Sequence, residues 1–82
     1  MKILILGAGQ VGTSVAAALS IEDENDITVV DRDMTRLREL TEKLDIRAVA
    51  GHASLPSILT QAGVEEADLL VAVTSSDEVN II

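Results

Sequence analysis

Cysteine, tryptophan, tyrosine and phenylalanine are all absent from the 82 residues. Without cysteine there is no disulfide frame, thiolate metal site or sulfur nucleophile, and a reducing compartment suits the chain. Without aromatic rings nothing stacks on a nucleic-acid base, and the core must be built from Leu, Ile, Val, Ala and Met. Basic side chains are scarce: six Lys plus Arg stand against fourteen Asp plus Glu, for a formal net charge of -8. They are also scattered, at Lys2, Arg32, Arg36, Arg38, Lys43 and Arg47. That pattern excludes a counterion-releasing nucleic-acid surface and disfavours an anionic membrane. No apolar run approaches the roughly 18 residues that cross a bilayer, so direct membrane insertion is not expected. No signal-peptide pattern precedes the first strand-like segment, which points to the cytoplasm. The single histidine, His52, has no second ligand at metal spacing, so no metal site and no catalytic group are assigned.

What is present is apolar and periodic. Hydrophobic residues make up 48% of the chain and mean hydropathy is +0.35, the range of a small globular unit, taken as one domain over 1–82. Aliphatic runs at Lys2 to Leu6, Ile27 to Val30, Ala48 to Ala50 and Leu69 to Val73 suit strands covered on both faces. Helical spacing follows each of the first three, through Val11, Val15, Ala18 and Leu19, then Leu37, Leu40 and Leu44, then Leu55, Ile58, Leu59 and Ala62. Asp33 can cap the second helix, Ser54 with Pro56 can open the third, and Gly63 can close it. The spacing of Ser75 and Glu78 is that of a capping box and predicts a fourth helix starting near Ser76. Ile21 to Asp26 reads as an acidic surface loop. Alternating units with short loops imply right-handed crossovers, hence an α/β, Rossmann-like doubly wound parallel sheet in strand order 3-2-1-4.

Directly after the first strand, Gly7-Ala8-Gly9-Gln10-Val11-Gly12 matches G-x-G-x-x-G and leads into a helix. In that setting Gly7 permits the tight turn, Gly9 lets backbone approach a pyrophosphate, and Gly12 lets the helix pack closely. Unpaired N–H groups and the helix dipole would then hold the phosphates without a lysine. Asp31 ends the second strand about 20 residues beyond the motif, where a carboxylate accepts both ribose hydroxyls of an adenosine. That favours NAD(H), or an adenine nucleotide such as ATP or ADP with a free ribose, over NADP(H). Arg32 works against the preference, because a guanidinium could accept a ribose phosphate; its other reading is a solvated charge beside a helix cap. At the end of the third strand, His52 and Ala53 fall on the adenine side of the crevice, although His52 also reads as a plain loop residue. Thr74 and Ser75 face the glycine turn across the switch point and could touch phosphate or the distal ribose, while capping alone also explains Ser75.

Met1 to Gly12, Asp26 to Asp31 and Leu70 to Asn80, with Thr74-Ser75-Ser76-Asp77-Glu78-Val79-Asn80 the most specific stretch, resemble the TrkA-N family, also called the RCK or KTN N-terminal domain. The resemblance implies a cytosolic regulator that binds NAD(H) or adenine nucleotides without turning them over and assembles as dimers or higher homo-oligomers. It also implies a membrane potassium transporter subunit of the Trk type as partner, at the inner face of the plasma membrane. Carried across, Gly7, Gly9 and Gly12 face the pyrophosphate, Gln10 and Val11 lie on the phosphate turn, Asp31 meets the ribose, and Thr74 and Ser75 lie near the distal half of the ligand. Domains of this family hold two further strands, so the chain is expected to be truncated before the last strands, leaving Leu69 to Val73 as an uncovered edge through which the chain dimerises. The alternative from another class is the coenzyme-binding domain of an NAD-dependent dehydrogenase, whose catalytic groups would lie elsewhere.

Overall fold

A computed structural model describes residues 1–73 and 79–82. Strand β1 (Lys2–Leu6) leads through α1 (Gln10–Leu19) to β2 (Asp26–Asp31), then α2 (Met34–Lys43), β3 (Arg47–Ala50), α3 (Pro56–Ala62) and β4 (Leu69–Val73). A short strand β5 (Val79–Ile81) follows. The sheet order is β3-β2-β1-β4-β5, with the first four strands parallel, which is the expected 3-2-1-4 arrangement.

Side-chain alternation along these strands divides the core. Ile3, Ile5, Ile27, Val29 and Val71 share one face and form a buried cluster with Ala16 of α1 and Leu37 and Leu40 of α2. Leu4 and Val30 project to the other face, outside that cluster, and are equally buried. Helix α3 lies against β2 and β3; the right-handed crossover from β3 back to β4 carries it to this second face. Each fully buried Leu, Ile or Val contributes roughly 1.5–3 kcal/mol relative to exposure, so Leu4 and Ile5 of β1 with Ile27, Val29 and Val30 of β2 anchor the two strands at the middle of the sheet.

The punctuation is largely as the sequence implies. Asp33 caps α2, accepting N–H bonds from Thr35 at 2.9 Å and Arg36 at 3.3 Å. Gly63 ends α3 in the left-handed region at φ +86°, with its N–H bonded to the Thr60 carbonyl at 3.1 Å. Ser54 does not cap α3. Leu55 occupies the N-cap with Pro56 inside the first turn, while the Ser54 N–H and hydroxyl turn back to His52 Nδ1.

Two expectations about the far end fail. In place of a fourth helix running through 79–82, β5 pairs antiparallel with β4, matching Val71 to Ile81, Ala72 to Asn80 and Val73 to Val79. The same pairing covers the outer edge of Val71–Val73, so β4 is not the free edge that would drive dimerisation. The physical reason is common to both. An aliphatic strand with a row of unpaired N–H and C=O groups recruits a nearby extended segment, and Val and Ile on either side of Asn80 favour that extended state. The proposed capping box, at Ser75 and Glu78, lies outside the described residues.

Candidate functional site

The chain leaves β1 toward β2 and β3, then returns to β4 on the other side, so the carboxyl ends of β1 and β4 diverge at the switch point. A crevice of about 630 Å³ opens there. Gly7, Gly9 and Gln10 form one wall, Asp31, Arg32 and Arg36 a second, and Gly51, His52 and Ala53 a third; Leu6, Val30 and Val73 supply its apolar floor.

The three motif glycines differ in what they meet. Gly7 has φ +116°, and a Cβ there would lie 3.1 Å from the Val73 carbonyl oxygen, so both backbone and space require glycine. A Cβ on Gly12 would overlap the Gly7 carbonyl group and touch Val73 Cγ2 at 3.7 Å, which makes it a packing glycine set against its own loop. Gly9 has φ -70°, and a Cβ built on it meets nothing within 4 Å. Neither conformation nor packing therefore explains the missing side chain at Gly9, which leaves an open cradle on the crevice.

Gly9 is also the N-cap of α1 and provides no side-chain acceptor, and the first turn contains no acidic residue. The leading amides of the helix, from Gln10 to Gly12, thus lack a side-chain cap and carry the positive end of the helix dipole. Asp31 is tied into the same loop: Oδ1 accepts the Ala8 N–H at 3.0 Å and Oδ2 accepts the Asp33 N–H at 2.8 Å. Each carboxylate oxygen retains a lone pair, so the group can still accept from a ligand. Gly7 N–H bonds the Val30 carbonyl at 2.7 Å, which fixes the turn against β2. On the opposite wall His52 Nδ1 accepts the Ser54 N–H at 3.3 Å and stands 2.7 Å from the Ser54 hydroxyl. With Nδ1 used as an acceptor, the neutral imidazole carries its proton on Nε2.

Of the residues singled out from sequence, the structure gathers Gly7, Gly9, Gln10, Asp31, Arg32, His52 and Ala53 on the crevice. Ala8, Val11 and Gly12 do not line it: Ala8 is buried with its amide bound to Asp31, and Gly12 is buried behind the turn. Thr74 and Ser75 lie outside the described residues. Arg36 and Gly51 line the crevice without having been singled out. Both had a signal. Arg36 follows the α2 cap by three positions, which puts it in the first turn at the carboxyl end of β2, and Gly51 directly follows β3, with its N–H bonded to the Asp31 carbonyl at 2.9 Å.

A parallel sheet in this order, with a glycine turn opening onto its switch point, defines a Rossmann-like α/β domain. Residues 3–82 match the family model described as the TrkA-N domain, and the chain belongs to that family. It is 65% identical over 82 residues to a Trk system potassium uptake protein TrkA of Halomonas elongata, covering 100% of this chain and 18% of that protein. The TrkA protein of Vibrio alginolyticus is 57% identical over 81 residues, covering 99% of this chain and 18% of its own length. A TrkA homolog of Archaeoglobus fulgidus is 40% identical over 82 residues, with 100% and 18% coverage. The chain thus spans about a fifth of the length of these relatives. Among the described residues no helix is long and apolar enough to cross a membrane.

Proposed function

We propose that the chain is the nucleotide-binding part of a regulatory subunit of a Trk-type potassium-uptake system. Its crevice takes NAD(H), or an adenine nucleotide such as ATP or ADP, without turning it over. The observation that carries this reading is Gly9, whose open cradle lies beside uncapped helix amides on the crevice that the Asp31 carboxylate also lines. A diphosphate rests on the amides of the first turn, where dipole and N–H groups act together. Asp31 accepts the ribose hydroxyls with the lone pairs left after its two backbone bonds. His52 offers its Nε2–H to the base, and Gly7, Gln10, Val11 and Ala53 shape the turn and the adenine end. Thr74 and Ser75 belong to the distal half of the ligand in this scheme.

No chemistry is assigned to the bound nucleotide. His52, the only histidine, is on the adenine side in this scheme and has Nδ1 engaged by Ser54. Regulation then rests on a difference in affinity between two arrangements of an assembled homo-oligomer at the cytoplasmic face of a membrane transporter subunit, because equal affinities would shift nothing. Names carried by the relatives, which are potassium uptake proteins, support the transport setting.

Calorimetric cross-titration with NADH, NAD+, ATP and ADP tests the binding claim. The expected result is saturable heat that Gly9→Val abolishes while far-ultraviolet circular dichroism stays unchanged. Absence of heat with every nucleotide, or identical affinity in the Gly9→Val protein, would overturn it.

A further inference from the structure

The crevice does not end at Arg36. A second hollow of about 330 Å³ runs between α1 and α2, lined by Thr13 and Ser14 on one side and by Arg36, Glu39 and Lys43 on the other. Gly9, Gln10 and Arg36 line both spaces, so they form the passage from one to the other. Ala8, whose amide is held by Asp31 Oδ1 at 3.0 Å, also lines the second hollow, so the passage opens beside the proposed ribose acceptor. A substituent leaving the ribose edge of an adenosine held by Asp31 would enter it.

The charges at this point are mixed. Asp31 is negative, but each of its oxygens already accepts one backbone N–H, which offsets part of its field. Arg32 and Arg36 are positive and both line the crevice. Among the described residues the Arg36 guanidinium is paired only through Nε, with Asp33 Oδ2 at 3.5 Å, and both side chains are about half exposed. Such a pair is weak and easily exchanged, and its geometry leaves the terminal guanidinium nitrogens for a bidentate partner. Glu39 and Lys43, farther along the groove, oppose one another in sign.

We infer that Arg36 is a specificity-determining residue that admits adenine dinucleotides phosphorylated on the adenosine ribose, so that the site discriminates only modestly between NADH and NADPH. This rests on the proposed binding of nucleotides in the crevice. It departs from the simpler expectation that the Asp31 carboxylate alone excludes a ribose phosphate.

The test is parallel calorimetry of the full chain and of Arg36→Ala and Arg36→Lys, each titrated with NADH and with NADPH. Arg36 is exposed, and the Asp33 cap uses backbone donors that both variants keep, so folding is preserved. The unsubstituted chain should bind NADPH within about tenfold of NADH, and Arg36→Ala should cost NADPH about tenfold while moving NADH less than about twofold. Arg36→Lys should fall between, because it keeps the charge and loses the fork. The inference is overturned if NADPH binds the unsubstituted chain more than about a hundredfold weaker than NADH, or if Arg36→Ala changes the preference by less than about threefold. If NADH itself gives no binding, the crevice proposal fails and takes this one with it; NADH binding with an unmoved preference sinks this one alone.

Discussion

At the scale of single residues, the site separates groups the fold needs from groups it does not. Gly12 cannot carry a side chain without displacing the Gly7 carbonyl, so Gly12→Ala should destabilise by about 1–3 kcal/mol or more in chemical denaturation. Gly9 is the opposite case. Serine there would have room for its Cβ, and its hydroxyl would accept from a first-turn amide of α1. Gly9→Ser is therefore expected to leave stability unchanged or raise it by a few tenths of a kcal/mol. It should at the same time weaken nucleotide binding, because the hydroxyl takes the amide a phosphate would use. A variant that lost both stability and binding would show that the turn, not the ligand, demands glycine. Asp31 serves fold and site together. Asp31→Ala would strand the buried Ala8 N–H, costing about 1–3 kcal/mol, and would remove the ribose acceptor. Asp31→Asn keeps one carbonyl oxygen for the Ala8 amide, so it should recover most of the stability and little of the affinity. Thermal melts beside titrations of the two variants would separate the roles.

At the scale of elements, most of the fold was legible because local signals and the tertiary arrangement agree. Lys2–Leu6 and Leu69–Val73 read as strands from unbroken aliphatic runs, since the central strands of a covered sheet need apolar side chains on both faces. Asp33 read as a cap because a short acceptor before a helical period has few other uses, and Asp33→Ala should cost about 1 kcal/mol in equilibrium unfolding. The errors cluster where a local pattern competes with something distant. Ser54 has the right chemistry for a cap, but the His52 ring two residues earlier takes its N–H and faces its hydroxyl. Val79–Ile81 has helix-compatible punctuation before it, yet the open side of β4 offers hydrogen bonds that no local signal reveals. Within the site, the glycine turn, Asp31 and His52 were readable from spacing. Arg36 carried only a positional signal, three residues past the Asp33 cap, which marks a site residue once the topology brings the first turn of α2 to the crevice.

At the scale of the whole molecule, two electrostatic fields oppose one another. The chain as a whole carries -8, which repels a diphosphate during approach. Close to the site, the uncapped amides of α1 and the guanidinium groups of Arg32 and Arg36 attract it. Range decides which field controls which step. Long-range repulsion is screened once the Debye length falls from about 30 Å at 0.01 M salt to about 8 Å at 0.15 M, whereas amide contacts near 3 Å are hardly affected. Adding salt over that interval should accordingly raise the association rate constant for NADH, with little change in the dissociation rate constant, as followed by stopped-flow nicotinamide fluorescence. A nucleic-acid-type binder would behave in the opposite way, losing affinity as salt displaces its phosphate contacts. If association slows with salt here, the cationic mouth at Arg32 and Arg36 dominates the approach as well as the bound state. Charge reversal at Arg32, which is exposed and takes part in no described cap, would then separate the two regimes: Arg32→Glu should slow association most at low salt and leave the fold intact.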